Sequence, residues 1–169
     1  MPAGAPPGSG PTADRPHRSG RRKARKYALD LLFAADLRQV DPMALAAQNM
    51  VTTDAALPAY SRQLVEAVAD HQPELDQTIA RCLKPGWSIA RMPAVDRSLA
   101  RLAVAEATWL SVPPGVVISE AAALARELST DESPQFLSGL LGAILLTAEP
   151  TTTPGDAEPT TGPGGTEPA

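Results

Sequence analysis

A dense run of basic side chains lies near the start of the chain, in the segment RRKARK at residues 21–26. Guanidinium and ammonium groups bind phosphate oxygens through charge-assisted hydrogen bonds, so such a run could hold the backbone of a nucleic acid. The net charge of the chain is −4, yet residues 15–26 carry seven Lys or Arg and no acid. This uneven distribution favours a polyanionic partner over the alternative, which is a solubilising charge run.

A helical wheel places the basic side chains on an arc of about 100°, opposite the apolar side chains of Ala24, Ala28 and Leu31. Cations in the first turn of a helix oppose the helix dipole, and a bound polyanion would remove that conflict. We therefore predict an RNA-binding face on this helix, made of Arg18, Arg21, Arg22, Lys23, Arg25 and Lys26.

Two apolar side chains, Leu29 and Phe33, project at nearly the same angle as Arg22 and Lys26. An exposed Leu and Phe beside a basic face would be a contact surface for a partner protein. The alternative is that the second half of this helix is buried on all sides.

Glu106 falls within an apolar stripe of another predicted helix, between Leu102 and Leu110. A buried carboxylate needs a partner, and three arginines could supply it. They are Arg97 and Arg101 on the same helix and Arg126 on the next. We favour this structural ion pair over a catalytic acid or base, because no second carboxylate or His lies at catalytic spacing.

The sequence contains none of the motifs that would indicate other kinds of chemistry. It contains no phosphate-binding Gly loop, no Cys/His cluster and no Ser nucleophile motif, and Cys82 is its single cysteine. We therefore predict a protein that is not an enzyme and holds no cofactor or metal. No apolar run approaches the roughly 18 residues that span a bilayer, which predicts a cytoplasmic protein without a membrane segment.

The elements that must position these residues are helices. Apolar residues make up 43% of the 169 residues, with few aromatics, which favours an all-α fold of helices packed through small and aliphatic side chains. Residues 1–20 and 149–169 are rich in Pro and Gly but poor in large apolar residues, so they predict a flexible arm and a disordered acidic tail. The predicted folded domain is 21–148.

Within this domain, Pro and Gly separate stretches in which apolar residues recur at helical spacing. The pattern predicts about seven helices in two three-helix bundles joined near residues 84–87. The predicted helices are approximately 21–38, 42–50, 58–71, 73–83, 93–110, 116–128 and 134–147.

Two segments of the sequence resemble the NusB family of transcription antitermination factors. The first, RRKARKYALDLLFAADL, is similar to the arginine-rich opening helix of the family. The second runs from Trp87 to Gly142 and contains the family's landmarks in order: Trp, Arg-Met, Val-Asp-Arg, Val-Pro, Glu-Ala and Phe-x-x-Gly. The motif LSTDESP resembles the actinobacterial branch in particular.

This resemblance implies a seven-helix protein that binds the boxA element of nascent ribosomal RNA. Such factors usually act with NusE, a protein of the small ribosomal subunit, in a complex that suppresses premature termination by RNA polymerase. Some actinobacterial relatives form homodimers, so a homodimer is a further possible assembly. The alternatives are a helical protein–protein adaptor without RNA binding, and an RNA-modifying enzyme, for which the chain is too short.

The resemblance also assigns roles to positions outside the basic run. Phe136 and Glu132 match the family's RNA-contacting loop and helix start, and Phe136 could stack on a base. Phe33 and Asp96 match positions on the NusE-facing surface. In the motif that follows Phe136, Ser138 stands where the family commonly has Asn, which shortens the polar group there to a hydroxyl.

Overall fold

The computed structural model describes residues 15–53 and 56–147, with side chains described from Gly20 onward except for Thr53. These residues form six α-helices and one short 3-10 turn, without strands. The α-helices are α1 (Arg15–Arg38), α2 (Pro42–Thr53), α3 (Ala59–Cys82), α4 (Ala94–Trp109), α5 (Pro114–Leu128) and α6 (Ser133–Leu146), and the 3-10 turn is Ile89–Arg91.

The predicted all-α fold is confirmed, with one difference in the number of helices. The two helices expected on either side of residue 72 form the single helix α3, which is kinked where His71 adopts a non-helical φ of −120° and ψ of 16°. Pro73 lacks a backbone N–H and its ring crowds the carbonyl four residues earlier, so it bends the helix at this point without ending it.

The helix boundaries follow local signals in most places. Asp41 caps α2, because its Oδ1 accepts a hydrogen bond of 2.7 Å from the backbone N–H of Ala44, and Pro42 occupies the first helical position as predicted. Helix α1 begins at Arg15, six residues before the predicted start of the folded domain. The rest of the predicted arm, residues 1–14, and the predicted tail from residue 149 lie outside the described residues.

The helices form two groups of three, α1–α3 and α4–α6, in which every helix contacts the other two. Helix α4 also packs against α1 and α3, and nine consecutive residues from Ser98 to Glu106 are buried. One continuous apolar core therefore runs through both groups, with α4 at its centre. The two bundles are confirmed, and residues 83–93 join them.

Ion pairs also tie α1 and α3 to the central helix. Arg101 of α4 donates to both carboxylate oxygens of Asp76 on α3, at 2.7 and 2.9 Å, and to Asp36 on α1 at 3.1 Å. Arg97, one turn earlier, also donates to Asp36. Partial burial alone would raise the pKa of Asp36, but the hydrogen bonds and charges of the two arginines hold it below its ordinary value.

The lowered pKa of Asp36 predicts a pH-dependent contribution to stability. Its stabilisation is fully present above the unfolded-state pKa of about 3.9 and is lost as the pH falls through the lower folded-state pKa. We expect Asp36→Asn to lower the free energy of unfolding by about 2 kcal/mol at neutral pH, and by less at about pH 3, where part of this contribution is already lost.

Urea unfolding of the wild type and the variant at both pH values measures this difference. Asp30→Asn, which removes an exposed carboxylate from the same helix, is the matched control and should have little effect at either pH. A loss from Asp36→Asn that is equally large at both pH values would show that the carboxylate's charge is not what stabilises α1 against α4.

Candidate nucleic-acid interface

The basic end of α1 contacts both α3 and α5. Arg21, Arg22 and Lys23 are exposed and Lys26 is partly exposed. The Arg21 guanidinium lies 5.1 Å from the centre of the Tyr60 ring on α3, within range of a cation–π interaction. These four cations lie together near the start of α1, and we call this surface the cationic end. Arg18, also predicted for this face, belongs to the stretch whose side chains are not described.

Arg25 does not belong to the exposed surface, and its predicted place on the RNA-binding face is wrong. The residue is 3% exposed. Its Nε lies 2.9 Å from both carboxylate oxygens of Glu106, and a second guanidinium nitrogen lies 2.7 Å from Oε1 of the same group. The reason is spacing: Arg25 lies three and four residues before Ala28 and Leu29, so it shares their buried stripe.

The buried pair has further polar partners. The Tyr60 hydroxyl donates to Glu106, and Glu120 of α5 lies 3.5 Å from the Arg25 guanidinium. Burial would lower the pKa of Arg25, but the hydrogen bond and charge of Glu106 raise it above its ordinary value. Burial and the same carboxylate raise the pKa of Tyr60 to about 12, so its hydroxyl remains a donor at neutral pH.

The prediction that Glu106 is buried and paired is confirmed, but its predicted partners are wrong. Arg97 and Arg101 lie on the same helix at spacings that turn them toward Asp36 instead, and Arg126 is exposed. The signal that could have identified the partner is Arg25 itself. A cation on an apolar stripe requires an acid from another buried stripe.

The two predicted protein-binding residues of α1 differ in burial. Leu29 is 2% exposed and belongs to the core, so its assignment to a contact surface is wrong. Phe33 is half-buried, so part of the residue is accessible to solvent. Helices α3 and α4 cover α1 more widely than a single apolar stripe indicates, which supports the alternative of burial for Leu29.

Asp96 was also predicted to face a partner protein, and that placement is wrong. It is 2% exposed and accepts hydrogen bonds from the hydroxyls of Ser129 at 2.7 Å and Ser133 at 2.8 Å. A carboxylate so buried cannot contact a partner without opening the turn between α5 and α6. Asp96 instead holds that turn against the first turn of α4. Glu132 belongs to the same turn.

Beside this turn lies an aromatic groove of about 580 Å³. The Trp87 side chain is 55% exposed, and its ring centre lies 6.2 Å from that of the half-buried Phe136, with 30° between the ring planes. We name this the aromatic groove, and its lining residues are Cys82, Leu83, Lys84, Trp87, Glu132, Gln135, Phe136, Gly139 and Leu140.

Sequence reasoning identified Glu132 and Phe136 but missed the place of Trp87 in this groove. The loop after α3 turns sharply, since the Trp87 backbone N–H bonds to the Lys84 carbonyl at 3.0 Å and Gly86 has a φ of +85°. The sequence pattern predicts residues 84–87 only as the junction between the two bundles. An aromatic residue directly after such a turn was the available signal for an exposed ring.

The two surfaces lie close together on the molecule. Glu127, near the end of α5, contacts Arg22 and Lys26 of the cationic end, and Glu132 lines the aromatic groove. Five residues of chain span at most about 18 Å. Cations for phosphates and flat rings for bases are the two features that bind single-stranded nucleic acid.

Other kinds of site are not visible in the described parts of the chain. Residues 15–53 and 56–147 contain no group of three His, Cys, Asp or Glu side chains arranged to hold a metal ion. Within the same ranges, no helix combines the length and apolar character required to span a membrane.

A family model and curated relatives point to the same protein family. The family model of the NusB family matches residues 22–145. The transcription antitermination protein NusB of Acidothermus cellulolyticus is 47% identical over 125 residues, which cover 73% of this chain and 86% of the relative. NusB of Salinispora arenicola is 48% identical over 128 residues, covering 73% and 93% respectively.

A solved structure has the same fold. It contains the antitermination factors NusB and NusE in complex with double-stranded RNA. The matching chain has a TM-score of 0.65 and 28% sequence identity, covering 75% of this chain and 96% of that one.

The burial of Arg25 predicts that it stabilises the fold far more than its exposed neighbours do. Arg25→Met should lower the free energy of unfolding by about 3 kcal/mol or more, because it leaves the Glu106 carboxylate buried without its cation. Arg22→Met, the matched control at an exposed position of the same helix, should change it by less than about 1 kcal/mol. Chemical denaturation measures both, and equal effects of the two variants would contradict the structural role of Arg25.

Proposed function

The chain belongs to the NusB family, and from this premise we propose that it is a transcription antitermination factor that binds the boxA element of nascent ribosomal RNA. In this proposal it acts in the cytoplasm by binding alone, without catalysing a reaction. Bound to the transcript, it helps RNA polymerase pass sites of premature termination. The observation that carries the RNA-binding part is the cationic end of α1 on an otherwise acidic protein.

The cationic end supplies contacts to phosphates. Four side chains remain available on it: Arg21, Arg22, Lys23 and Lys26. Phosphate contacts position a nucleic acid without reading its sequence. The buried Arg25 is excluded from this set, but it supports the others because it anchors the helix on which they stand.

The aromatic groove supplies contacts to bases. Unstacked bases of single-stranded RNA pack against aromatic faces, and the accessible parts of Trp87 and Phe136 offer two of them. Lys84, Glu132 and Gln135 place polar groups at the same groove. These groups could donate to and accept from the edges of a stacked base, so the groove would contribute the sequence preference that the cationic end lacks.

The proposed protein partner is NusE, as in the solved complex of NusB and NusE with RNA. Of the three predicted contact residues, Leu29 and Asp96 are buried, which leaves Phe33 as the predicted partner contact with accessible surface. A homodimer remains a prediction from the sequence resemblance.

Salt-dependent RNA binding tests the proposal. For single strands, log affinity falls with log salt by about 0.7 for each phosphate contact. Arg22→Gln should therefore weaken binding to a boxA RNA and flatten that slope by about 0.7. The combined Arg21→Gln, Arg22→Gln and Lys23→Gln variant should flatten it by about 2.

Arg38→Gln is the matched control. Arg38 is exposed at the other end of α1, about 24 Å away along the helix axis, and its replacement removes the same charge. Fluorescence anisotropy over a range of salt concentrations measures the slopes. If the wild type binds boxA RNA no better than background, or if Arg38→Gln flattens the slope as much as Arg22→Gln does, the cationic end is not the RNA-binding surface. The protein–protein adaptor is then the better account.

A further inference from the structure

One acidic side chain, Glu127 near the end of α5, lies against the cationic end. One carboxylate oxygen lies 3.7 Å from the Arg22 guanidinium, and the other accepts a hydrogen bond from the Lys26 ammonium. Two of the four exposed cations that the proposed function assigns to RNA phosphates therefore already have an anionic partner within the protein.

Glu127 is held to Arg22 and Lys26 by ion pairs that can open and form again. Glu127 raises the pKa of Lys26, through its hydrogen bond first and its charge second, and Lys26 lowers the pKa of Glu127 in the same way. Both groups are therefore charged at neutral pH. All three side chains are between 44% and 45% exposed, so solvent and ligands reach them and the contact can open without unfolding.

A carboxylate and a phosphate compete for the same donors. Each presents anionic oxygens to guanidinium and ammonium N–H groups at similar distances. A phosphate that takes Arg22 and Lys26 must displace Glu127 or bind beside it, and like charges at that separation repel. Binding of the phosphate is weaker by the free energy of the contact that it breaks.

We propose that Glu127 is an internal competitor for RNA, which occupies Arg22 and Lys26 in the free protein and lowers the affinity of the cationic end for phosphates. This rests on the proposed function. The competition acts on phosphate contacts, which carry no sequence information. Glu127 therefore weakens binding to boxA and to unrelated RNA by the same factor, and it limits retention of the protein on arbitrary transcripts.

The size of the effect follows from the strength of exposed ion pairs. Such pairs change an equilibrium by about twofold to fivefold. Glu127→Gln keeps the shape of the side chain but removes its charge. We expect it to tighten binding of a boxA RNA oligonucleotide by about twofold to fivefold at low salt, and of a scrambled RNA of equal length by a similar factor. The gain should shrink at high salt, where the ion pair is screened.

Two controls separate direct competition from a general change of charge. Asp70→Asn makes the same change of charge at an exposed position of α3 and should leave RNA affinity nearly unchanged. Glu127→Gln should also have no effect in a chain that carries Arg22→Gln and Lys26→Gln, because the contested cations are then absent.

Binding to immobilised heparin, a polyanion that is not RNA, separates this inference from the proposed function. Glu127→Gln should elute at higher salt than the wild type and Asp70→Asn. If Glu127→Gln elutes from heparin at higher salt while no variant binds boxA RNA, Glu127 does compete for the cations but the proposed function is wrong. If the wild type binds RNA but Glu127→Gln binds it equally or more weakly, the competitor is overturned and the proposed function stands. A gain that persists without Arg22 and Lys26 also overturns it.

Discussion

Moving a guanidinium and a carboxylate from water into a protein interior costs several kcal/mol for each ion, and their attraction repays this only with good geometry and further hydrogen bonds. Arg25 and Glu106 meet both conditions. The Arg25 Nε lies 2.9 Å from both oxygens of the carboxylate, and the Tyr60 hydroxyl donates to the same group. The pair joins α1, α3 and the central helix α4 at a single point, so the orientation of α1 about its own axis depends on it.

That orientation decides which cations reach solvent. With Arg25 turned inward, Arg22 is carried toward α5, where Glu127 lies, and Arg21 stands over the Tyr60 ring. The basic run therefore has two kinds of cation. One is buried and fixes the helix, and the others are exposed and can exchange their partners. A similar division holds for the acids, since Glu106 and Asp96 organise the interior while Glu127 and Glu132 lie at the surface.

The helical spacing of apolar residues and the positions of Pro and Gly were sufficient to predict the all-α fold and both bundles. They could not show that Pro73 would bend one helix rather than separate two, because that depends on what packs around the kink. The burial of the candidate site residues was harder to predict from the sequence. A helical wheel of α1 describes one helix in isolation, so it could not include the coverage by α3 and α4 that buries Arg25 and Leu29. The same limit applied to Asp96, whose partners Ser129 and Ser133 lie more than thirty residues away in sequence.

The most direct measurement is a double-mutant cycle on the unfolding free energy, with Arg25→Met, Glu106→Leu and the combined variant. If the pair fixes α1 against α4, Arg25→Met leaves the buried Glu106 without its cation, and Glu106→Leu leaves the buried Arg25 with only the more distant Glu120 at 3.5 Å. We expect the loss of Glu106's cation to cost about 3 kcal/mol or more, whereas the double change removes both charges of the pair. The account predicts that the double variant is more stable than the sum of the single effects implies, by at least about 2 kcal/mol. Additive effects within about 0.5 kcal/mol would contradict it, because the two groups would then contribute independently.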